Sequence, residues 1–258
     1  MSYPDLRITF LGTGTSGGVP MIGCGCYVCS SQNTKDKRLR SSILVQSPAT
    51  TLVVDTTPDF RTQMLRENVK KLDAVLFTHP HKDHVAGLDD IKAYNFFQKK
   101  PMEVYANLLT QEGLKREFPY IFSEDKYPGI PSIHLHTIPD KTFLVGDIPV
   151  TPILVYHLKM PVLGFRFGDF TYITDANRIP EEEKEKIKGS KILVLNALRK
   201  NHHISHFSLP EAVNLVEELK IPKAYFTHIS HQLGLHEEIN AELPSNIKLA
   251  CDGLQLHL

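Results

Sequence analysis

Thr78-His79-Pro80-His81-Lys82-Asp83-His84 follows directly on the apolar run Asp73-Ala74-Val75-Leu76-Phe77. The run is short and continuous, the pattern of a strand covered on both faces. Three histidines and an aspartate then fall within six residues. Imidazole nitrogen and carboxylate oxygen are the donors that zinc, manganese and iron accept. Four such donors cannot all reach one ion while the chain turns. They can serve two neighbouring ions, with His79 and His81 on one and Asp83 and His84 on the other. A loop at the end of a strand is also where an α/β protein places its site.

Working outward, the rest of the chain alternates between strand and helix patterns. Toward the N-terminus, residues 7–11 read as a strand, and a glycine-rich loop over 12–18 is closed by Pro20. Strands are expected at 43–45 and 51–55, and a short helix at 60–68 with Asp59 as its N-cap. After the histidine motif, Ile91, Tyr94 and Phe97 have helical spacing over 88–98. The stretch 99–140 is the least regular. It suggests a strand at 103–106, a helix near 110–117 and a loop punctuated by Pro119, Pro128 and Pro131. Strands are expected again at 150–157, 163–167, 171–175, 191–197 and 223–227, and a last one within 247–257. Helices are expected at 181–188, 209–220 and 236–241. Two runs of strands interleaved with helices predict an α/β or α+β fold in a single domain over residues 1–258.

Composition narrows the function classes. Of 258 residues, 41% are hydrophobic and 22% charged, so the chain is globular rather than disordered. Lys+Arg and Asp+Glu are both 29, giving zero formal net charge. That argues against gripping long nucleic acid by bulk charge. No apolar run approaches the length of a membrane span, and the opening residues lack a basic segment followed by an apolar one. No membrane association and a cytoplasmic location are therefore expected. Three of the four cysteines, Cys24, Cys26 and Cys29, crowd into six residues, which in a reducing compartment reads first as metal binding. Cys251 stands alone and reads as a small buried apolar residue.

The His-x-His-x-Asp-His segment resembles the signature of the metallo-β-lactamase superfamily. The resemblance implies a four-layer αββα sandwich and assigns further residues in order along the chain. His157 matches the next isolated histidine ligand, Asp175 the aspartate shared by both metals, and His228 the final histidine. One ion would then take His79, His81, His157 and Asp175. The other would take Asp83, His84, Asp175 and His228. Two divalent cations, manganese or zinc, would lower the pKa of a hydroxide-forming water bridging them. Asp55 resembles the superfamily's buried aspartate that orients a ligand histidine. The oxidase branch carries glutamate where His81 stands, so this chain departs from it.

Leu11-Gly-Thr-Gly-Thr-Ser-Gly-Gly-Val-Pro20 followed by Gly23-Cys-Gly-Cys-Tyr-Val-Cys29 resembles the opening of the PhnP family of cyclic phosphodiesterases. The glycines alone would suggest dinucleotide binding, but a proline and cysteines follow them where that fold needs a helix. In the PhnP family a histidine three residues after the last active-site histidine completes a zinc site. His231 has that spacing, so the resemblance implies a structural zinc on Cys24, Cys26, Cys29 and His231. Ser205-His206-Phe207-Ser208 resembles the element whose histidine contacts phosphate and protonates the leaving oxygen, with Ser205 in place of glycine. His206 and Asp83 are thus the expected catalytic residues. The resemblance implies a metal-dependent phosphodiesterase acting on a small, cyclic ribosyl phosphodiester. Its rivals are a tRNA 3′-processing endonuclease of the tRNase Z type, a non-catalytic metabolite-binding member and a thioester hydrolase. Oligomeric state is left open, a homodimer being the commonest arrangement among soluble oligomers.

Overall fold

The computed structural model describes residues 4–124 and 127–258. Residues 1–3, within the opening segment, and 125–126, within the proline-punctuated loop, lie outside them. The strands are β1 (Arg7–Gly12), β2 (Ser42–Gln46), β3 (Thr51–Val54), β4 (Ala74–Leu76), β5 (Met102–Ala106), β6 (Ile133–Thr137), β7 (Phe143–Val145), β8 (Ile148–His157), β9 (Met160–Phe167), β10 (Phe170–Tyr172), β11 (Ile192–Asn196), β12 (Lys223–Thr227), β13 (Ile247–Leu249) and β14 (Gln255–His257). The α-helices are α1 (Phe60–Arg66), α2 (Lys82–Val85), α3 (Lys92–Gln98), α4 (Leu108–Glu117), α5 (Pro119–Phe122), α6 (Glu181–Ile187), α7 (Leu209–Glu218) and α8 (His236–Glu242).

Two seven-stranded sheets form, in the orders β14-β1-β2-β3-β4-β5-β6 and β13-β12-β11-β10-β9-β8-β7. Three apolar layers account for the stacking. Phe10, Leu52, Leu76, Phe165, Tyr172 and Tyr225 pack between the sheets. Phe60, Val75, Phe77, Leu88, Tyr94 and Leu114 join the first sheet to α1, α3 and α4. Leu193, Leu195, Leu209, Leu215, Val216 and Ile239 join the second sheet to α7 and α8. This is the αββα sandwich. Central strands such as β11 (Ile-Leu-Val-Leu-Asn) are buried throughout because apolar layers cover both faces.

Strand directions decide where a site can form. In the first sheet β1, β3 and β4 run parallel, because β2 is antiparallel to both β1 and β3, and β3 pairs parallel with β4. In the second, β8, β10 and β12 run parallel, since β9 is antiparallel to β8 and β10, and β11 is parallel to β10 and β12. The carboxyl ends of each set therefore open on one edge of its sheet, the position open α/β sheets use for ligands. At the opposite end of β1, the backbones of Leu6 and Leu258 exchange hydrogen bonds of 3.3 and 2.9 Å.

Several elements differ from the sequence reading. Residues 247–257 form two strands rather than one. β13 pairs parallel with β12, whereas β14 pairs antiparallel with β1 in the other sheet. Gly253, at φ +83°, turns the chain between them. The stretch expected to be irregular holds β6, which pairs with β5, and α5. β7 forms a hairpin with β8 through Gly146, at φ +59°. Asp83 and His84 lie in the single helical turn of α2 rather than in a loop. Cys251 is half-buried rather than interior.

Candidate metal centre

Every predicted metal ligand of the histidine and aspartate set stands at or just beyond the carboxyl end of a strand or in the turn after it. His79 follows β4, His157 ends β8, Asp175 follows β10 and His228 follows β12. Asp55, after β3, joins them. Three of these residues hold left-handed backbone: Asp55 at φ +66°, Asp175 at +54° and His228 at +54°. Such conformations cost about 1–3 kcal/mol each for non-glycine residues and cluster where function over-determines the backbone.

Donor atoms of Asp83, His84, Asp175 and His228 all lie within 4.8 Å of one another. Those of His79, His81 and Asp175 do the same, as do those of His157, Asp175 and His206. Asp175 is common to the three groups. The His157 ring is 5.2 Å from that of His81, but its donor atom is grouped with those of Asp175 and His206 rather than with those of His79 and His81.

Fixed partners aim these rings. The Asp55 carboxylate, fully buried, accepts from Thr78 N at 2.9 Å and Thr78 Oγ1 at 2.8 Å, and lies 2.8 Å from His84 Nδ1. With its proton on Asp55, the Thr78 hydroxyl can accept from His79 Nδ1 at 2.9 Å. His157 Nδ1 bonds the Ser205 carbonyl at 2.8 Å. In each imidazole the other nitrogen is left to offer a lone pair. His84 Nε2, His206 Nδ1 and His228 Nδ1 are buried without a hydrogen-bond partner. His84 Nε2 is 3.2 Å from Asp83 and 3.3 Å from Asp175, close but not aligned to bond either. Unaligned buried donors converging around shared carboxylates are what a cation requires, and the residues fit one.

The electrostatics agree. Burial would lift the Asp175 carboxyl, but the His228 and His84 imidazoles hold it well below the usual range. Burial likewise disfavours a charged His84, yet Asp175, Asp83 and Asp55 raise its pKa well above the ordinary value. Burial pushes His79 well down and His206 down to about 3.

His206 sits ahead of α7. Its ring is 4.5 Å from that of His157 and 4.9 Å from that of His228. Ser208 caps α7, its backbone and hydroxyl both donating to Glu211 at 2.8 and 2.6 Å, which fixes the end of the loop carrying His206. His202 pairs with Glu211 at 3.0 Å, and the His203 ring is 5.2 Å from that of His206.

A second cluster stands apart. Cys24, Cys26, Cys29 and His231 converge within 4.8 Å, His231 Nδ1 lying 3.4 Å from Cys24 Sγ and 3.3 Å from Cys26 Sγ. The Cys29 amide and His231 draw the Cys26 thiol down to about 6, whereas burial pushes Cys29 up to about 11. Three cysteines and a histidine within this reach suit a closed tetrahedral site. Of the remaining histidines, His134 and His136 flank Glu103, His236 lies 3.0 Å from Arg38 Nη2, and His257 is exposed at the end of β14.

A family model described as a beta-lactamase superfamily domain matches residues 50–229. The chain belongs to the metallo-β-lactamase superfamily. That is a family of metallo-hydrolases. A solved superfamily structure described as a new diphosphatase from the PhnP family is 42% identical, covers 98% of each chain and superposes with a TM-score of 0.92. Zinc-bound PqqB from Methylobacterium extorquens shares the fold, with a TM-score of 0.80 at 21% identity over 98% of this chain and 100% of that one. An octanoyltransferase from Porphyromonas gingivalis is 37% identical over 253 residues, 97% of this chain but 51% of that protein. The chain thus spans about half the length of that relative.

Of the groups that aim the ligands, sequence reasoning named Asp55, which lies 2.8 Å from His84 Nδ1, and missed the rest. Thr78 and the Ser205 carbonyl carry no pattern of their own. Adjacency to His79 and His206 was the only signal available.

Proposed function

We propose that the chain is a metal-dependent phosphodiesterase acting on small phosphodiesters, a cyclic ribosyl phosphate being the substrate that the resemblance to the PhnP family implies. The observation that carries this reading is His206, a buried imidazole with an unpartnered nitrogen, set against His157 and His228. A bare ligand cluster would serve thioester hydrolysis equally well. A histidine beside it suits a leaving group that needs a proton.

In this reading His79, His81, His157 and Asp175 hold one divalent cation, and Asp83, His84, Asp175 and His228 hold another. Cys24, Cys26, Cys29 and His231 hold a structural zinc that ties the N-terminal loop to the turn after β12. The two catalytic cations, manganese or zinc, supply Lewis acidity at the phosphate and make water a better nucleophile. Asp83 accepts a hydrogen bond from the attacking water and directs it opposite the breaking P–O bond. Burial keeps His206 neutral in the free protein. The negative charge of a bound phosphate favours its protonated form, and His206 then gives that proton to the departing alkoxide oxygen, which leaves poorly without one. The partner is a small molecule rather than long nucleic acid, in keeping with the zero formal net charge.

Diphosphate hydrolysis is a second reading, favoured by the 42% identical diphosphatase structure. The metal-reconstituted protein should be tested on cyclic ribosyl phosphates, linear dinucleotides, a dinucleoside diphosphate, a pre-tRNA and an octanoyl thioester. Preferential turnover of the cyclic phosphodiesters supports the proposal. Turnover confined to the diphosphate, the pre-tRNA or the thioester overturns it.

A further inference from the structure

The glycine-rich loop has no role in the chemistry above, yet it reaches the metal centre. Gly14 forms β-bridges with both Arg40 and Ile229. Thr15 N donates to Ile229 O at 3.1 Å, and Ile229 N donates to Thr13 O at 2.9 Å. The loop is thereby pinned to the residue directly after His228. Glycine is needed for this approach: a Cβ at position 12 would lie 1.9 Å from the Arg40 carbonyl oxygen, and one at position 14 would lie 2.9 Å from that of Arg38.

The pinning brings Thr15 Oγ1 to 3.2 Å from His228 Nε2. On the other side of the ring, Nδ1 is buried, has no hydrogen-bond partner and lies 2.9 Å from Asp175 Oδ1, off the line of a hydrogen bond. A neutral imidazole carries one N–H and one lone pair. We propose that Thr15 is a positioning residue for His228: its hydroxyl accepts the Nε2 proton and so fixes the tautomer whose Nδ1 lone pair faces Asp175. The inference rests on the metal-centre reading and extends it to the loop. Threonine suits the task because branching at Cβ restricts χ1 and holds the hydroxyl toward the ring. The same logic operates at His79 through Thr78 and at His157 through the Ser205 carbonyl, so each of these rings is aimed by an oxygen from outside the ligand set.

The test uses the full chain and two readouts besides activity. The first is the imidazole nitrogen spectrum of the wild-type protein loaded with zinc, which distinguishes Nε2–H from Nδ1–H. The expected result is Nε2–H at His228, and Nδ1–H overturns the proposal. The second is zinc affinity by chelator competition, counted in equivalents, for Thr15→Val and Thr15→Ser. Loss of an orienting partner typically weakens metal binding about 10- to 100-fold. Thr15→Val should therefore weaken one of the two His/Asp equivalents by that factor and leave the cysteine-bound equivalent alone. Thr15→Ser should bind within a few-fold of wild type. Equal binding by Thr15→Val and wild type overturns the inference while leaving the metal-centre reading intact. A wild-type chain with no zinc affinity beyond the cysteine cluster overturns both, and shows itself before any substitution is made.

Discussion

Replacing Thr78 by valine removes one hydroxyl and almost no volume, which isolates the hydrogen bonds behind the metal centre. Thr78 is completely buried. Its hydroxyl donates to the Asp55 carboxylate at 2.8 Å and faces His79 Nδ1 at 2.9 Å. A hydrogen bond to a charged group contributes about 1.5–3 kcal/mol, and a buried donor left without a partner costs about 1–3 kcal/mol. Valine forfeits the first and orphans the His79 Nδ1–H. Because neighbouring effects do not add fully, the expected destabilisation of the metal-free protein is about 2–5 kcal/mol. Thr78→Ser is the control. It keeps both bonds and loses a buried methyl, a cost of about 1 kcal/mol. Urea unfolding of wild type and both variants, with chelator present, gives the difference directly. Equal stability of Thr78→Val and Thr78→Ser would show that the hydroxyl does not hold Asp55 and His79 as described.

His206→Ala should reduce turnover of a cyclic ribosyl phosphate, whose leaving group is an alkoxide, by about 100-fold or more while metal content by mass spectrometry stays at the wild-type level. Unchanged turnover would remove His206 from proton transfer. Cys29→Ser should cost one tightly held zinc equivalent and expose the segment around residues 21–31 to proteolysis, whereas a fully zinc-loaded, resistant variant would contradict the cysteine site. Stability should also fall in acid because of His236, which burial beside Arg38, with Lys35 near and Glu237 and Asp36 opposing, pushes down to about 4. Unfolded, that histidine titrates near 6.5, so the unfolded chain takes up its proton first. Its stabilising effect is complete above pH 6.5 and is lost progressively toward pH 4. His236→Asn should flatten this part of the pH–stability curve, and an unaltered slope would assign the acid sensitivity to other groups.

The candidate site was legible because its residues bear distinctive chemistry and sit at strand ends that hydrophobic runs announce. His79, Asp175 and His228 each follow such a run. Of the groups that orient the rings, Asp55 was legible through the resemblance and the others were not. A threonine hydroxyl or a serine carbonyl has the same letter whether it faces solvent or an imidazole, and Thr15 and Thr78 acquire roles only through contacts between distant segments. Element boundaries failed for a related reason. Across 247–257, Leu249, Ala250 and Cys251 continue an apolar run past the end of β13, so Gly253 alone marks the passage from one sheet to the other. In β6, His134 and His136 occupy the alternate positions and prolines precede the strand, so the period-two signal was muted although Ile133 and Leu135 keep it.

The adjacency of Leu6 and Leu258 has a practical consequence. Both lie where β1 begins, about 17 Å along the strand from the end at which the glycine-rich loop starts. A polypeptide attached at either point would hang from the floor of the sandwich and leave the ligand-bearing rim unobstructed. An affinity tag or a tether to a surface could be carried there without blocking substrate entry.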